Sequence, residues 1–422
     1  MPALFRRFVS ITGWQPWKSR LESLSAQMEK NQFIGEYFAD RYALEIEMER
    51  TRRHLSRTDK LALPETAEQT ALYALIVTVA HVYGRLSKRG QIRLRGMLRH
   101  CLKSDPGLVP LQHEMEMAVQ LMSRGFDVEF SDLEGSGEFD FLCRADKVDV
   151  EFECKTFSGD VGRKIHRRRL YQLAGHIRLA MEDALDRRLG GQLARIILPG
   201  RLTGNDEQIA SISDRLAKAL ETGRTQATGD PCTVEYTAFS IEGGPFDKTN
   251  LGLVERELGR EFIEQQTGIP ISHALMMGRP RSGVVAVTVE SAQSDSVWNG
   301  LERYLKRSAK QLTGTRPGAI LVRFTDITES ELLEIVEQDR SGEPTALRIK
   351  TNELFRRDDW RHVYIVAYMA PPLVTRTDKI EGDKRVRSVR QAGRSYYFRN
   401  PKNDLVSDAR YDLFADNDSQ RD

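Results

Sequence analysis

Two acidic side chains and a lysine, Asp140, Glu153 and Lys155, lie close together in the sequence. Carboxylate oxygens are the ligands that hard divalent cations such as Mg²⁺ take in proteins. A cation held there can polarise a phosphate group and lower the pKa of a bound water molecule. A neighbouring ammonium can orient that water or offset the negative charge that develops during the reaction. These residue types therefore fit metal-dependent hydrolysis of a phosphodiester bond.

The segment that carries these residues alternates between apolar and polar side chains, which is typical of β-strands. We predict an antiparallel hairpin with a two-residue loop at 146–147, which pairs Ala145 with Val148 and places Asp140 opposite Glu153. One face of the hairpin is then apolar and consists of Phe139, Phe141, Cys143, Val148, Val150, Phe152 and Cys154. The other face is polar except for one leucine and consists of Asp140, Leu142, Arg144, Asp149, Glu151, Glu153 and Lys155.

The predicted register creates an electrostatic problem at Asp140 and Glu153. A slip by one residue would bury the charges, so the register is expected to hold. Like charges directly opposite each other destabilise a sheet, and a divalent cation between them would remove the repulsion. The alternative interpretation is a solvated face whose charges only keep the hairpin soluble. The strictly apolar opposite face and the opposed acids favour a metal site.

The segments 138–142 (EFDFL) and 150–155 (VEFECK) resemble the PD-(D/E)XK nuclease superfamily, which has the restriction-endonuclease-like fold. The step from Asp140 to Glu153 is similar to that of archaeal Holliday-junction resolvases. This resemblance covers roughly residues 108–200. It implies a mixed sheet flanked by helices, with Mg²⁺ or Mn²⁺ bound by Glu114, Asp140 and Glu153, and a catalytic Lys155. Phe139 departs from the family pattern, which often has proline there.

The third acidic ligand depends on a helix predicted over 110–124, before the hairpin. The resemblance implies a glutamate on this helix, and counting back from the glycine that ends it, Gly125, reaches Glu114. Glu116 is the alternative. We prefer Glu114 because it borders the apolar face of the helix, whereas Glu116 points further outward.

A basic cluster follows the hairpin, at the start of a helix predicted over 162–189. Its cations are Arg163, Lys164, Arg167, Arg168 and Arg169. In an α/β core this helix would begin near the strand end that carries Lys155, where the cations would suit backbone phosphates. Gln172 has a minor supporting role, because its spacing from Tyr171 differs from that used by some family members. A solvated helix face is the alternative.

Four regions are predicted along the chain. Residues 1–104 are helical and form a scaffold or oligomerisation arm or, through the basic run 85–99, a cap that contacts nucleic acid. Residues 105–245 alternate helices with strands and form the nuclease-like core. Residues 246–375 are a second βαβ-like run that extends the first sheet or forms a degenerate copy of the core. Residues 376–422 form a basic and then acidic tail.

Two features of the later regions bear on function. Glu290 follows a predicted strand much as Glu153 does, but Ala292 stands where a second lysine would be needed, so no catalysis is expected there. The next helix, predicted over 296–312, carries the cations Arg303, Lys306, Arg307 and Lys310. The basic segment 376–402 contains an aromatic run, and we interpret it as a flexible tail rather than a nucleic-acid-binding one.

Composition limits function only loosely. The 63 basic and 61 acidic residues leave a formal charge of +2, so attraction to a polyanion must come from local clusters. The cysteines have no zinc-binding spacing and are expected to be reduced thiols; they are Cys101, Cys143, Cys154 and Cys232. There is no phosphate-binding loop of an NTPase and no segment apolar enough to span a bilayer. A soluble cytoplasmic protein is expected.

The preferred hypothesis is an endonuclease that depends on Mg²⁺ or Mn²⁺ and acts on DNA, with RNA left open as a substrate. The alternative is a catalytically silent module of the nuclease fold that binds nucleic acid or a protein partner. A nuclease that is inactive until a partner releases it, and a homodimer, are also compatible with the sequence.

Overall fold

Helices fill the first hundred residues, and helices alternate with strands through the rest of the chain. This arrangement, seen in a computed structural model, confirms the predicted α/β class and the helical N-terminal region. The structure describes residues 2–31, 33–61, 63–145, 148–226, 231–248, 256–271, 274–279, 283–371, 373–381, 384–392 and 395–403.

The bounds of the elements are as follows in chain order. The helices are α1 (Pro2–Thr12), α2 (Trp14–Lys30), α3 (Ile34–Arg41), α4 (Ala43–Thr58), α5 (Ala67–Arg85), α6 (Lys88–Cys101), α7 (Val109–Ser123), α8 (Ser131–Glu134), α9 (Arg167–Arg187), α10 (Asp206–Thr222), α11 (Pro245–Lys248), α12 (Arg256–Thr267), α13 (Val297–Gln311), α14 (Glu329–Arg340) and α15 (Ala346–Arg356). The strands are β1 (Asp127–Glu129), β2 (Phe141–Ala145), β3 (Val148–Phe157), β4 (Gly190–Leu198), β5 (Thr233–Phe239), β6 (Ala274–Arg279), β7 (Gly283–Ser291), β8 (Gly318–Phe324), β9 (Val363–Met369), β10 (Leu373–Glu381), β11 (Lys384–Ala392) and β12 (Ser395–Arg399).

The chain divides into two compact units. The first consists of Met1–Leu24, Ala39–Val161 and Val297–Asp422, and the second of Ser25–Phe38 and Gly162–Ser296. The predicted regions 105–245 and 246–375 do not coincide with these units, because strand pairing joins them crosswise: β3 pairs with β8, and β4 pairs with β7. Hydrophobic periodicity reports local structure and carries no information about such pairings.

The first unit contains a six-stranded mixed sheet in the order β1-β2-β3-β8-β9-β12. The three central strands β3, β8 and β9 run parallel, and the outer pairs are antiparallel. Part of the region 246–375 therefore extends the first sheet. Ala145 pairs with Val148 and Phe141 with Phe152, so that the β2–β3 hairpin has the predicted register. The loop predicted at 146–147 lies outside the described residues.

Both faces of this sheet are covered by helices of the same unit. On one face Phe141, Phe152 and Cys154 pack with apolar side chains of α1, α5 and α7. On the other face Leu142 and Phe157 pack with α13 and α15. The sheet is therefore a central layer, and a polar side chain on either face must find a partner or stay near its edge.

One expectation about the hairpin faces is wrong, and so is the alternative interpretation of a solvated polar face. Phe139 packs with Leu142 rather than with Phe141, because β2 begins only at Phe141 and the alternation does not extend beyond it. The polar face is not solvated at Glu151 and Glu153, whose side chains are both 0% exposed. Buried carboxylates of this kind need explicit partners, which makes their contacts informative.

The second unit contains a four-stranded mixed sheet in the order β5-β4-β7-β6. Helices α9 and α10 pack on one face, and α11 and α12 pack on the other. Strand β6 is not indicated by the sequence pattern. It is a short edge strand that pairs only with β7, and its sequence ALMMGR has little of the β-branched character that marks a strand.

The prediction of a flexible tail is wrong for the aromatic residues 396–398, which lie on β12. Strand β12 pairs antiparallel with β9, and Phe398 is buried against Tyr368, with ring centroids 6.0 Å apart. Strands β10 and β11 pair with each other. A strand at the edge of a sheet needs apolar side chains on only one face. The segment could therefore form strands despite its high charge, which had not indicated them. Residues 404–422, predicted to be acidic and disordered, lie outside the described residues.

The thiols and the helices agree with two further expectations. All four cysteines are free, and burial raises the pKa of the Cys154 thiol well above its usual value, so this thiol is an inert core residue. Over the part of the chain that the structure describes, every helix is too short or too polar to cross a membrane.

Candidate active site at the hairpin

Asp140 lies one residue before β2 and is tied to β3 by two hydrogen bonds. Its backbone N–H donates to the carbonyl oxygen of Phe152 (3.1 Å), the residue that pairs with Phe141. Its carboxylate oxygen Oδ2 accepts from the backbone N–H of Cys154 (2.5 Å). The Asp140 carboxylate is therefore held against β3 next to Cys154.

Glu153 and Lys155 lie on the same face of β3. The Lys155 ammonium donates to Oε1 of Glu153, and 22% of the lysine side chain is exposed. The other carboxylate oxygen, Glu153 Oε2, is buried and has no hydrogen-bond partner among the described residues. A buried carboxylate oxygen without a partner is costly, so this atom has an unused capacity to accept a donor or a cation.

The preceding helix supplies a third carboxylate. Glu114 of α7 is half-buried, and its charge interacts with those of Asp140 and Lys155. Glu116 is instead held by Arg323 of β8, whose guanidinium lies 2.8 Å from Oε2, and by the amide of Gln112 at 2.7 Å. The structure therefore groups Glu114, and not Glu116, with the hairpin residues.

Burial raises the pKa values of these acids, and for Glu114 the neighbouring acids add to the effect. Burial raises the pKa of Asp140 to about 6, although Lys155 and the Cys154 N–H act in the opposite direction. Burial and the charges of Asp140 and Asp132 raise the pKa of Glu114 well above its usual value. Burial lowers the pKa of Lys155, although the carboxylates around it favour its charged form. The site holds more negative charge than one lysine can offset.

Asp132 is a site residue that the sequence analysis missed. It lies on the four-residue helix α8, and burial and the charge of Asp140 raise its pKa to about 7. The guanidinium of Arg93, on α6, donates to its backbone carbonyl oxygen (2.6 Å). The segment around Asp132 contains Ser, Gly and Glu in the manner of a turn, and no residue pattern connects it to Asp140.

The basic run of the N-terminal region serves partly as internal support. Besides Arg93, the guanidinium of Arg95 donates to the hydroxyl of Tyr83 (2.7 Å), and that of Arg99 donates to the carbonyl oxygen of Thr12 (3.2 Å). These contacts agree with the predicted scaffold role.

The predicted phosphate-binding cluster does not lie on a helix of the Lys155 sheet. Arg163, Lys164, Arg167, Arg168 and Gln172 all belong to the second unit, and α9 packs on its four-stranded sheet. The ammonium of Lys164 donates to the side chain of Gln293 (3.0 Å), and Gln172 accepts from Arg169 (2.8 Å). The expectation that α9 follows β3 directly in one core is wrong, because the chain enters the second unit after Val161.

On the face of β3 that carries Lys155 and Phe157, the neighbouring helix is α13. The ring of Tyr304 on α13 meets the ring of Phe157 on β3 edge to face, with centroids 5.4 Å apart. The charge of Arg307, also on α13, acts on Lys155. Arg307 was noted in the sequence only as part of a basic helix, since its proximity to Lys155 depends on a long-range pairing.

Neither local geometry nor comparison assigns the site by itself. Within the described ranges, no three acidic, histidine or cysteine side chains are gathered in the arrangement of a metal site. Comparisons with protein-family models, with curated proteins and with solved structures gave no match. Interpretation of the site therefore depends on its residues and their contacts.

Proposed function

We propose that this protein is a metal-dependent nuclease that hydrolyses phosphodiester bonds, acting as an endonuclease on DNA. The observation that carries the proposal is the contact of Lys155 with the fully buried Glu153, beside Asp140 and Glu114. The second oxygen of Glu153 has no partner in the part of the chain that the structure describes. A purely structural site would be expected to satisfy both oxygens of a buried glutamate.

The donor set fits a hard divalent cation in its chemistry. Carboxylate oxygens are the preferred ligands of Mg²⁺ and Mn²⁺, and Glu153 Oε2 can accept a cation without displacing Lys155 from Oε1. A cation would also offset the repulsion by Asp140 and Asp132 that adds to burial in raising the pKa of Glu114. The proposal requires the three carboxylates to gather further on binding.

In the proposed reaction, Glu114, Asp140 and Glu153 would hold Mg²⁺ or Mn²⁺, which when bound would supply Lewis-acid polarisation of a phosphate oxygen. A water oxygen attacks phosphorus and the bond from phosphorus to one sugar oxygen breaks, while the water gives up a proton to solvent and the leaving sugar oxygen takes one up. The Lys155 ammonium donates to a phosphate oxygen or orients the attacking water, and it offsets the negative charge that develops. The hydrogen bond from the Cys154 N–H to the Asp140 carboxylate supports the role proposed for Asp140.

Cleavage of a panel of nucleic acids tests this proposal. The panel contains single-stranded, linear, supercoiled and branched DNA and an RNA duplex, with Mg²⁺, Mn²⁺ or EDTA. We expect cleavage that requires metal and falls about 100-fold or more in Lys155→Ala. The matched control is Lys306→Ala, because Lys306 is also ion-paired with a glutamate but lies on the surface of α13. Equal cleavage by the wild type and Lys155→Ala would contradict the proposal.

One observation favours the alternative of a catalytically silent module. The Lys155 ammonium is bonded to Glu153, and no group of acids among the described residues has the arrangement of a metal site. In such a module Lys155 would serve as a structural counterion. Titration calorimetry distinguishes the two hypotheses. A nuclease should release or absorb heat on binding Mg²⁺ or Mn²⁺, and this heat should disappear in Glu153→Gln. A silent module should show no such difference.

A further inference from the structure

Helix α13 presents a row of three cations to solvent. Arg303, Arg307 and Lys310 are all exposed, and their spacing of four and three residues places them along one face of the helix. Within the described residues none of the three takes part in an ion pair or a side-chain hydrogen bond. We call these three residues the α13 row.

The other charges on and near this helix are already paired. Glu302, the acidic residue of α13, contacts Lys306 on the next turn and lies 3.3 Å from the ammonium of Lys350 on α15. Lys350 also pairs with Glu353 at 2.8 Å. The local acids are therefore occupied by lysines outside the α13 row, and the positive charge of the row is not neutralised by the protein.

The path of α13 brings the row to the level of the candidate site. At one end of the stretch where α13 runs along β3, the ring of Tyr304 contacts the ring of Phe157. Just beyond the other end of the helix, the backbone N–H of Thr313 donates to Glu151 on β3 (2.7 Å). Glu153 and Lys155 lie between Glu151 and Phe157, so the part of α13 that includes Arg307 passes beside them.

We propose that the α13 row binds the sugar-phosphate backbone of the DNA strand that is cut at the Lys155 site. This inference rests on the proposed nuclease function and names the surface that positions its substrate. At a rise of 1.5 Å per residue the row is roughly 10 Å long, about three base-pair steps of a duplex. Contacts of this kind supply affinity that depends on salt and carry no sequence information.

DNA binding by the full-length protein tests the inference without cleavage. A short fluorescent DNA duplex is titrated in EDTA over a salt series, and the anisotropy gives the dissociation constant. The row variant combines Arg303→Gln, Arg307→Gln and Lys310→Gln, and the matched control is Lys306→Gln on the same helix. Circular dichroism checks that each variant is folded.

We expect the row variant to flatten the dependence of log affinity on log salt. Each lost phosphate contact lowers the slope by about 0.9, so three contacts lower it by about 2.7. Lys306→Gln should keep the wild-type slope, because its ammonium is held by Glu302. A wild-type slope in the row variant, an equal loss in Lys306→Gln, or binding of an RNA duplex in preference to DNA would each overturn the inference.

Lys155→Ala separates this inference from the proposed function. We expect it to fail to cut while the slope of its binding falls by at most the 0.9 or so of one phosphate contact. If Lys155→Ala cuts as fast as the wild type, the assignment of the nuclease site to Lys155 fails, while the binding result for the row is unaffected. If the row variant binds normally and Lys155→Ala fails to cut, only the inference about the row is wrong.

Discussion

Glu153 and Glu290 lie on parallel central strands of the two mixed sheets, yet their charges are compensated differently. The guanidinium of Arg195 bonds both oxygens of Glu290, at 3.1 and 2.8 Å, and also lies 3.1 Å from Glu235. Lys155 bonds only one oxygen of Glu153, and the other has no partner among the described residues. A guanidinium satisfies a carboxylate at two points, whereas a single ammonium leaves one oxygen available.

The comparison shows that a glutamate on a central strand does not define an active site. In the second unit the two-point pair with Arg195 gives each oxygen of Glu290 a partner. In the first unit the incomplete pair, together with three further acids, leaves a concentration of negative charge that the protein does not neutralise. The following predictions test this difference in order of expected size.

The largest difference in cleavage is expected between the glutamine variants of Glu153 and Glu290. Glu153→Gln should lower metal-dependent cleavage about 100- to 1,000-fold, because it removes a proposed ligand and the partner of Lys155. Glu290→Gln should leave cleavage unchanged. Glu151→Gln is a second control from the same strand face, since Glu151 is satisfied by Thr313 and Arg316. Equal losses in Glu153→Gln and Glu290→Gln would remove the distinction between the two units.

A smaller effect should separate the two glutamates of α7. Glu114→Gln should lower cleavage about 100-fold and weaken Mg²⁺ binding, whereas Glu116→Gln should mainly lower stability, by about 1–3 kcal/mol, because it disrupts the buried pair with Arg323. Cleavage rates and urea unfolding measure the two effects. Loss of cleavage only in Glu116→Gln would reverse the assignment of the helix ligand.

Removing the ion pair between Arg195 and Glu290 in the second unit should change the stability of the protein but not its cleavage activity. Arg195→Ala leaves Glu290 and Glu235 facing each other and should lower the free energy of unfolding by about 1–3 kcal/mol, with no change in the cleavage rate per folded molecule. Partial exposure of all three side chains keeps the effect at this modest size. Unchanged unfolding of Arg195→Ala would mean that the pair contributes nothing measurable.

The smallest effect should be a pH dependence confined to the first unit. The pKa of Asp140 is raised from 3.8 to about 6 and that of Asp132 from 3.8 to about 7, so the folded chain binds more protons than the unfolded chain in this range. Stability should therefore fall as the pH rises from about 4 to about 7. Mg²⁺ should restore it at pH 7, and thermal unfolding of Asp140→Asn should show a flatter pH profile. A profile unchanged by Asp140→Asn would contradict this origin.

Local features of the fold and the site were predictable from the sequence. The hairpin register follows from strict alternation, and the grouping of Asp140, Glu153 and Lys155 follows from the register. The position of Glu114 depends on one helix next to that hairpin. In each case the relevant contacts join residues that are close in the chain, so periodicity is sufficient.

Features that depend on distant pairing were not predictable. The approach of α13 to β3 requires the parallel pairing of β3 with β8 across the whole second unit, which no local pattern encodes. For that reason α9, the next helix in the sequence, was wrongly assigned to the Lys155 sheet. Asp132 was missed because a one-turn helix has too few residues for a periodic signal, and β6 because it is a short edge strand.

The ends of the segment inserted after β3 lie side by side, and this has a consequence for the order of folding. The backbone N–H of Ser296 donates to the carbonyl oxygen of Gly162 (2.9 Å). Closing a flexible loop of this length costs on the order of 4 kcal/mol of chain entropy. If β4 and β7 assemble early, they bring those ends together and remove most of that entropic barrier to the β3–β8 pairing. We therefore expect pulse-labelled hydrogen exchange during refolding to show protection of β4 and β7 before β3 and β8. The reverse order would mean that the six-stranded sheet forms without prior folding of the inserted segment.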